Sequence, residues 1–158
     1  MTTIKLLLRK ISPEQLFMIS VLVVNGGNYI YNLLLGRILG PEAFAEAALL
    51  ITLLLVLSFV GMTFQLATAK FAVLFSGDQW HSFKNRSYKH ATIFGLIAGL
   101  LVIIFSKNLQ TLFHTQSHWM FVLFGIGIPL YFFMSVNRGT YQGHQDFKNL
   151  SITYQTEM

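Results

Sequence analysis

Residues 43–75 read AFAEAALLITLLLVLSFVGMTFQLATAKFAVLF. A helix needs about 20 predominantly apolar residues to cross about 30 Å of hydrocarbon. This stretch exceeds that length, so its far end, near Ser76-Gly77-Asp78, is expected to project beyond the bilayer. Working outward, a second apolar block, Leu16 to Leu39, lies just upstream. Two more, Ala91 to Ser106 and Trp119 to Val136, lie downstream. The turn from Phe83 to His90 can lengthen the third block. The pattern predicts an all-α integral membrane bundle of about four transmembrane helices, with spans near 14–39, 42–76, 83–106 and 118–140.

Composition points the same way. The 158 residues are 54% hydrophobic and 11% charged, with a mean hydropathy of +0.58. Soluble domains carry about 25% charged residues, so a water-facing surface cannot be made from this chain. There is no cysteine, which excludes disulfides, thiolate nucleophiles and cysteine-based metal sites. Residues 1–13 form a basic segment with Lys5, Arg9 and Lys10. The apolar run after it is too long for a signal-peptide core, and no small-x-small cleavage site follows promptly. The first block therefore reads as a retained span.

The net charge of +5 carries an orientation. With the N-terminus inside, the inner cations are Lys5, Arg9, Lys10, Lys70, Lys84, Arg86, Lys89, Arg138 and Lys148, and the outer ones are Arg37 and Lys107. Nine of eleven on one side follows the rule that cytoplasmic loops collect Lys and Arg. The basic balance is thus a topology signal, and no nucleic-acid partner is expected.

Helix ends are marked locally. Ser12-Pro13-Glu14-Gln15 is a capping-box start with Pro at the first helical position. Gly40 can end one helix while Pro41 and Glu42 open the next, which predicts a very short outer hairpin with antiparallel neighbours. Trp80 fits an inner interfacial anchor, and Trp119 opens the fourth span at the outer interface. Lys107 to Ser117 reads as a short polar outer loop. Pro129, inside the fourth span, is expected to kink it. After Asp146 the pattern opens a further helix, 146–158, and stops. The chain reads as the N-terminal portion of a longer protein.

Asn25, Asn28 and Asn32 fall on one helical stripe, extended by Tyr29 and Gly36. Amides facing lipid are costly, so the stripe either glues helices together or lines a watery cavity that hydrogen-bonds a polar substrate. Ser58, Gly61, Gln65 and Thr68 form a similar stripe, with the same two readings. Lys70 can snorkel to the interface or pair with an anionic headgroup at a cavity mouth. Lys84, Arg86 and Lys89 read as cytoplasmic anchors attracted by anionic lipid, or as a means of capturing a substrate phosphate. Arg37 is an outer cation with Glu42 as a partner. His114 and His118, four apart, read as loop residues because a catalytic metal site needs three protein ligands. Gly95 to Gly99 is a small-xxx-small packing pattern. Phosphate loops, paired catalytic carboxylates and Ser/His/Asp signatures are absent. The six acids, Glu14, Glu42, Glu46, Asp78, Asp146 and Glu157, stand at expected helix ends or loops, which argues against an acid-driven proton relay within the spans. No enzyme activity, cofactor or metal is expected.

Three stretches carry a family resemblance. Leu34-Leu35-Gly36-Arg37-Ile38-Leu39-Gly40-Pro41-Glu42-Ala43-Phe44 resembles the first outer hairpin of the polysaccharide-biosynthesis flippases, which export O-antigen and lipid-linked oligosaccharides. That family is related to the multidrug and toxic-compound extrusion transporters. Gly61-Met62 through Ala69-Lys70 is similar to its second-helix pattern. Arg138-Gly139-Thr140-Tyr141-Gln142-Gly143, with Phe147, resembles the loop after its fourth helix. Thr63 stands where many relatives have Pro, and Val60 where an acid is common. The resemblance implies a two-lobed, alternating-access transporter of about twelve or more helices, of which this chain supplies most of the N-terminal lobe. It implies a bacterial inner-membrane location and a polyprenyl-diphosphate-linked oligosaccharide as substrate. Its partners would be the lipid bilayer and the remaining C-terminal helices. Asn25, Asn28, Asn32 and Gln65 would line the cavity, with Lys70 and Arg37 as charge partners. The rival readings are a multidrug/cation antiporter of the related extrusion family and a small non-catalytic scaffold subunit. A membrane transferase would need an acid or His constellation, and the histidines here are scattered.

Overall fold

The computed structural model describes residues 12–155. The basic segment with Lys5, Arg9 and Lys10, and the last three residues, lie outside the described residues. Every element among the described residues is helical: α1 (Pro13–Leu74), α2 (Gly77–Ile104), α3 (Ser106–Phe113), α4 (Trp119–Gly143) and α5 (Phe147–Gln155). Three of them, α1, α2 and α4, are long and apolar enough to cross a membrane.

Helix α1 starts at the expected capping box. The Ser12 hydroxyl accepts from the Gln15 amide at 3.3 Å, and the Gln15 side chain accepts from the Ser12 amide at 3.0 Å. Two of the orphan N–H groups at the helix start are thereby satisfied. Over 14–39 and 42–76 the structure has two helical arms that join in one 62-residue element, with a single non-helical residue between them, Gly40, at φ 75° and ψ 172°. That φ lies in the left-handed region glycine tolerates, and Pro41 follows it directly. A straight helix of this length would run about 93 Å. Its two ends instead meet the same end of the molecule. Phe17 packs on Phe147 and Tyr154 of α5, with ring centroids 5.9 Å apart in each pair. Near the other end, Ala69 and Ala72 face Gly143, the last residue of α4. Only a reversal of the chain at Gly40 satisfies both contacts. The Phe44 ring folds back over Gly36, 3.5 Å from where a Cβ would stand there.

Helix α4 is the centre of the bundle. The second arm of α1, residues 41–74, runs parallel to it, with Gly61 against Tyr131 and Ser135, Gln65 and Thr68 against Gly139, and Ala69 and Ala72 against Gly143. Helix α2 runs antiparallel on another side, with Gly95 against Pro129 and Phe132, and Gly99 against Gly125. The core between them is Ala91, Ile128, Phe132 and Val136, flanked by Phe64 and Tyr88. Lipid tails are as apolar as Leu, so helices in a bilayer gain little from the hydrophobic effect and associate through close packing. The glycines permit that closeness. A Cβ on Gly95 would sit 2.8 Å from the Pro129 Cα, and one on Gly99 would collide with the Gly125 carbonyl oxygen. The small-xxx-small pattern at Gly95 and Gly99 is thus a helix seam.

Helix α2 begins at Gly77, six residues ahead of the expected span, because the basic turn is itself helical. The expected polar loop after it is partly a helix: α3 covers Ser106–Phe113 and stops at His114, which is left-handed at φ 52°. Leu109, Leu112 and Phe113, spaced three and four apart, give α3 one apolar side. Residues Arg138 to Gly143, where the fourth span is expected to end and which the family resemblance likens to the loop after it, are the last turns of α4. Gly139 and Gly143 hold them in the helix by packing on α1. Large apolar side chains such as Leu22, Ile38, Leu55 and Leu123 stand exposed along the helices. In water this surface would aggregate, whereas in a bilayer it is the lipid-facing belt. The protein is a membrane-embedded helical bundle.

Candidate functional site

The first arm of α1, residues 13–39, carries the amide row. It is anchored at its start by α5, where Ser20 and Val24 are buried. The Gln155 amide reaches the Ser20 hydroxyl at 3.5 Å. Beyond Val24 the arm opens out. Asn25 and Asn28 are exposed, and Asn32 is half-buried. The Asn32 side-chain amide donates to the Asn28 carbonyl at 2.8 Å. Tyr29 stands exposed, and a Cβ at Gly26 would meet nothing within 4 Å. Arg37 is exposed near the turn at Gly40. These amides offer neutral donors and acceptors suited to hydroxyl-rich ligands.

The other two candidates stand elsewhere. Gln65 is half-buried in the seam between α1 and α4, where its side-chain amide donates to the Gln142 side-chain oxygen at 2.9 Å. Lys70 is exposed at the end of a groove of about 440 Å³ lined by Phe59, Met62, Thr63, Leu66 and Ala67. That groove lies on the side of α1 turned away from α4. The structure therefore brings Asn28 and Asn32 together, and puts Gln65 in a packed interface.

Sequence reasoning places Arg138 among the inner cations and does not foresee two polar pairings at this end of the bundle. Arg138 is buried, at 4% exposure. Its Nη2 donates to the Thr153 carbonyl at 3.2 Å, and its guanidinium lies over the Tyr154 ring. At the preceding residue of α4, the Tyr88 hydroxyl donates to the Asn137 side-chain oxygen. The residues from Asn137 to Gln142 thus tie α1, α2 and α5 to the end of α4. Spacing gives no hint of these pairings, because Gln65 and Gln142 are 77 residues apart and Tyr88 and Asn137 are 49 apart.

At the opposite end, Glu46 accepts from the Gln116 amide, and the Gln116 side chain donates to Glu42 at 3.2 Å. These contacts staple the α3–α4 loop to the start of the second arm, around a cavity of about 600 Å³ that His114 also lines. Glu42 thus meets Gln116. His114 ends α3 and His118 precedes α4. Among the described residues no group of three or more His, Cys, Asp or Glu is placed to hold a metal ion. No family model, curated protein or solved structure matches the chain.

Proposed function

We propose that the chain forms part of a membrane transporter that flips a polyprenyl-diphosphate-linked oligosaccharide from the inner to the outer leaflet of a bacterial inner membrane, for export of a cell-surface polysaccharide. In this reading α1 crosses the bilayer twice, reversing at Gly40, while α2 and α4 cross once each. The N-terminus is cytoplasmic, as the distribution of Lys and Arg suggests.

The observation that carries the reading is the exposed amide row. Close packing in this bundle is made by Gly61, Gly95, Gly99, Gly125 and Gly139, while Asn25 and Asn28 stand exposed in an otherwise apolar arm. An amide exposed to hydrocarbon without a partner costs several kcal/mol on transfer scales, roughly 4–8 in the driest reference. The row accordingly calls for water or a polar ligand, and a sugar presents the hydroxyls it would bond. Further helices opposite the row would complete the cavity, which opens to each side in turn. Lys70 and Arg37 would meet the diphosphate, and the polyprenyl tail would remain in lipid. The hairpin resemblance over Leu34 to Phe44 supports the same substrate class.

Deletion of the gene tests the proposal. Lipid-linked repeat units are expected to accumulate on the inner leaflet, with loss of surface polysaccharide. Unchanged lipid-linked pools and surface glycan in the deletion strain would sink it.

A further inference from the structure

The opening turns of α2 divide the basic residues that look like one cluster in the sequence. Lys84 is half-buried, with its amine 5.9 Å from the Tyr88 ring centroid. Arg86, Lys89 and His90 are exposed. At 100° per residue, Arg86, Lys89 and His90 share about 100° of arc with Ile93, Ile97 and Leu100. All six are exposed, and the three apolar ones are between 45% and 56% exposed. The single acid of α2, Asp78, lies more than two turns before Arg86. One face of α2 is therefore cationic over a turn and then apolar without interruption.

We infer that this face is a binding site for an anionic phospholipid, with the headgroup on Arg86, Lys89 and His90 and an acyl chain along Ile93, Ile97 and Leu100. The lengths agree. From His90 to Leu100 the helix rises about 15 Å, half of a hydrocarbon core of about 30 Å, which is one leaflet. His90 is set for the role. Its Nδ1 bonds the Arg86 carbonyl at 2.7 Å, and since a carbonyl only accepts, Nδ1 carries the hydrogen and Nε2 of the neutral ring is left to accept from a headgroup hydroxyl, such as those of a glycerol headgroup, while the phosphate is met by Arg86 and Lys89. Arg86 supplies a planar fork for phosphate and Lys89 a compact charge. Lys84 points to the opposite side of α2 and takes no part. The inference rests on membrane embedding and is independent of the proposed cargo.

The test uses the full chain purified from membranes containing equal phosphatidylglycerol and phosphatidylcholine, with the retained lipid read by mass spectrometry. The wild type is expected to retain phosphatidylglycerol selectively. The double variant R86Q/K89Q should lose about thirtyfold in that selectivity, from about 1 kcal/mol per cation near an anionic surface. The charge-preserving R86K/K89R should keep most of it, which separates lost binding from lost folding. K84Q/K148Q, removing two cations elsewhere at the same end, should leave it unchanged. Equal losses in both glutamine pairs would show diffuse attraction and overturn the site. Displacement of phosphatidylglycerol by soluble glycerol phosphate would also overturn it, in favour of a site for free phosphate.

Discussion

Arg138 and Tyr154 form a cation–π pair in which the guanidinium carbon stands 4.5 Å from the ring centroid. The same ring packs on Phe17. A buried charge near the end of α4 is thus linked through α5 to the start of α1. Placing a guanidinium out of water is expensive unless its geometry is well met. Here the Tyr154 ring and the Thr153 carbonyl are among its partners, so the buried cation helps hold α5 in place.

Arg138→Ala is accordingly expected to lower stability by about 2–4 kcal/mol, from a desolvated cation–π contact and a hydrogen bond to a charged donor. Hydrogen exchange should rise first in residues 147–155. Arg138→Lys keeps the charge but loses the planar stack, and is expected to fall between the two. Chemical unfolding in mixed micelles gives the ranking. A lysine variant as stable as the wild type would remove the stack from the explanation.

The reversal at Gly40 has its own test. The Ser20 hydroxyl and the Gln155 side chain are 3.5 Å apart, and the chain has no native cysteine to compete. The double variant S20C/Q155C is expected to be bridged within one molecule by a short bifunctional thiol reagent, which spans the length lost when the long Gln155 side chain is shortened, seen as faster migration on a gel. Adding Gly40→Ala places a side chain at φ 75°, at a cost of about 1–2 kcal/mol, and should reduce the yield. A high yield only between separate molecules would mean that the first arm does not fold back.

Gly40-Pro41 and Ser12-Pro13-Glu14-Gln15 were legible in the sequence because each acts through its own backbone. A positive φ needs glycine, and a capping box spans four residues. Gly95 and Gly99 were legible because small residues four apart make a groove on any helix. Arg138 was not, since a cation near a helix end has the same local pattern whether it faces water or is buried. Its partners lie fifteen and sixteen residues on, in α5, and only tertiary packing brings them back. Helix α3 was missed because polar composition outweighed the spacing of Leu109, Leu112 and Phe113. Gln65 shows a limit of stripe reading: periodicity finds the face, but the partner helix decides what that face meets.

The glycine seam predicts a contrast within α4. A Cβ at Gly125 would fall 2.7 Å from Ile103 Cγ1 and 2.8 Å from the Gly99 carbonyl oxygen, while one at Gly127 would meet nothing within 4 Å. Gly125→Ala is expected to destabilise by about 1–3 kcal/mol through overpacking. Gly127→Ala should be neutral or stabilising by up to about 1 kcal/mol, since alanine is the better helix former. Parallel unfolding curves in one detergent decide the matter. Equal effects at the two positions would mean that α2 and α4 do not meet there.

The amide row can be separated from the lipid-facing belt by chemistry, because every introduced thiol would be unique in the chain. Asn25 and Asn28 lie on one side of the first arm, and Val23 and Ile30 lie on roughly the opposite side. Val23 and Ile30 are 60% and 59% exposed, so openness in the bundle does not distinguish the two sides. The surrounding medium does. A maleimide reacts with the thiolate, which forms in water and not in hydrocarbon. In intact membranes, Asn25→Cys and Asn28→Cys are expected to label with a membrane-impermeant maleimide at least about tenfold faster than Val23→Cys and Ile30→Cys. A polyprenyl-linked sugar added in excess should slow the first pair alone. Four equal rates would mean that the row faces the same medium as the apolar side, and the cavity reading would fail with it.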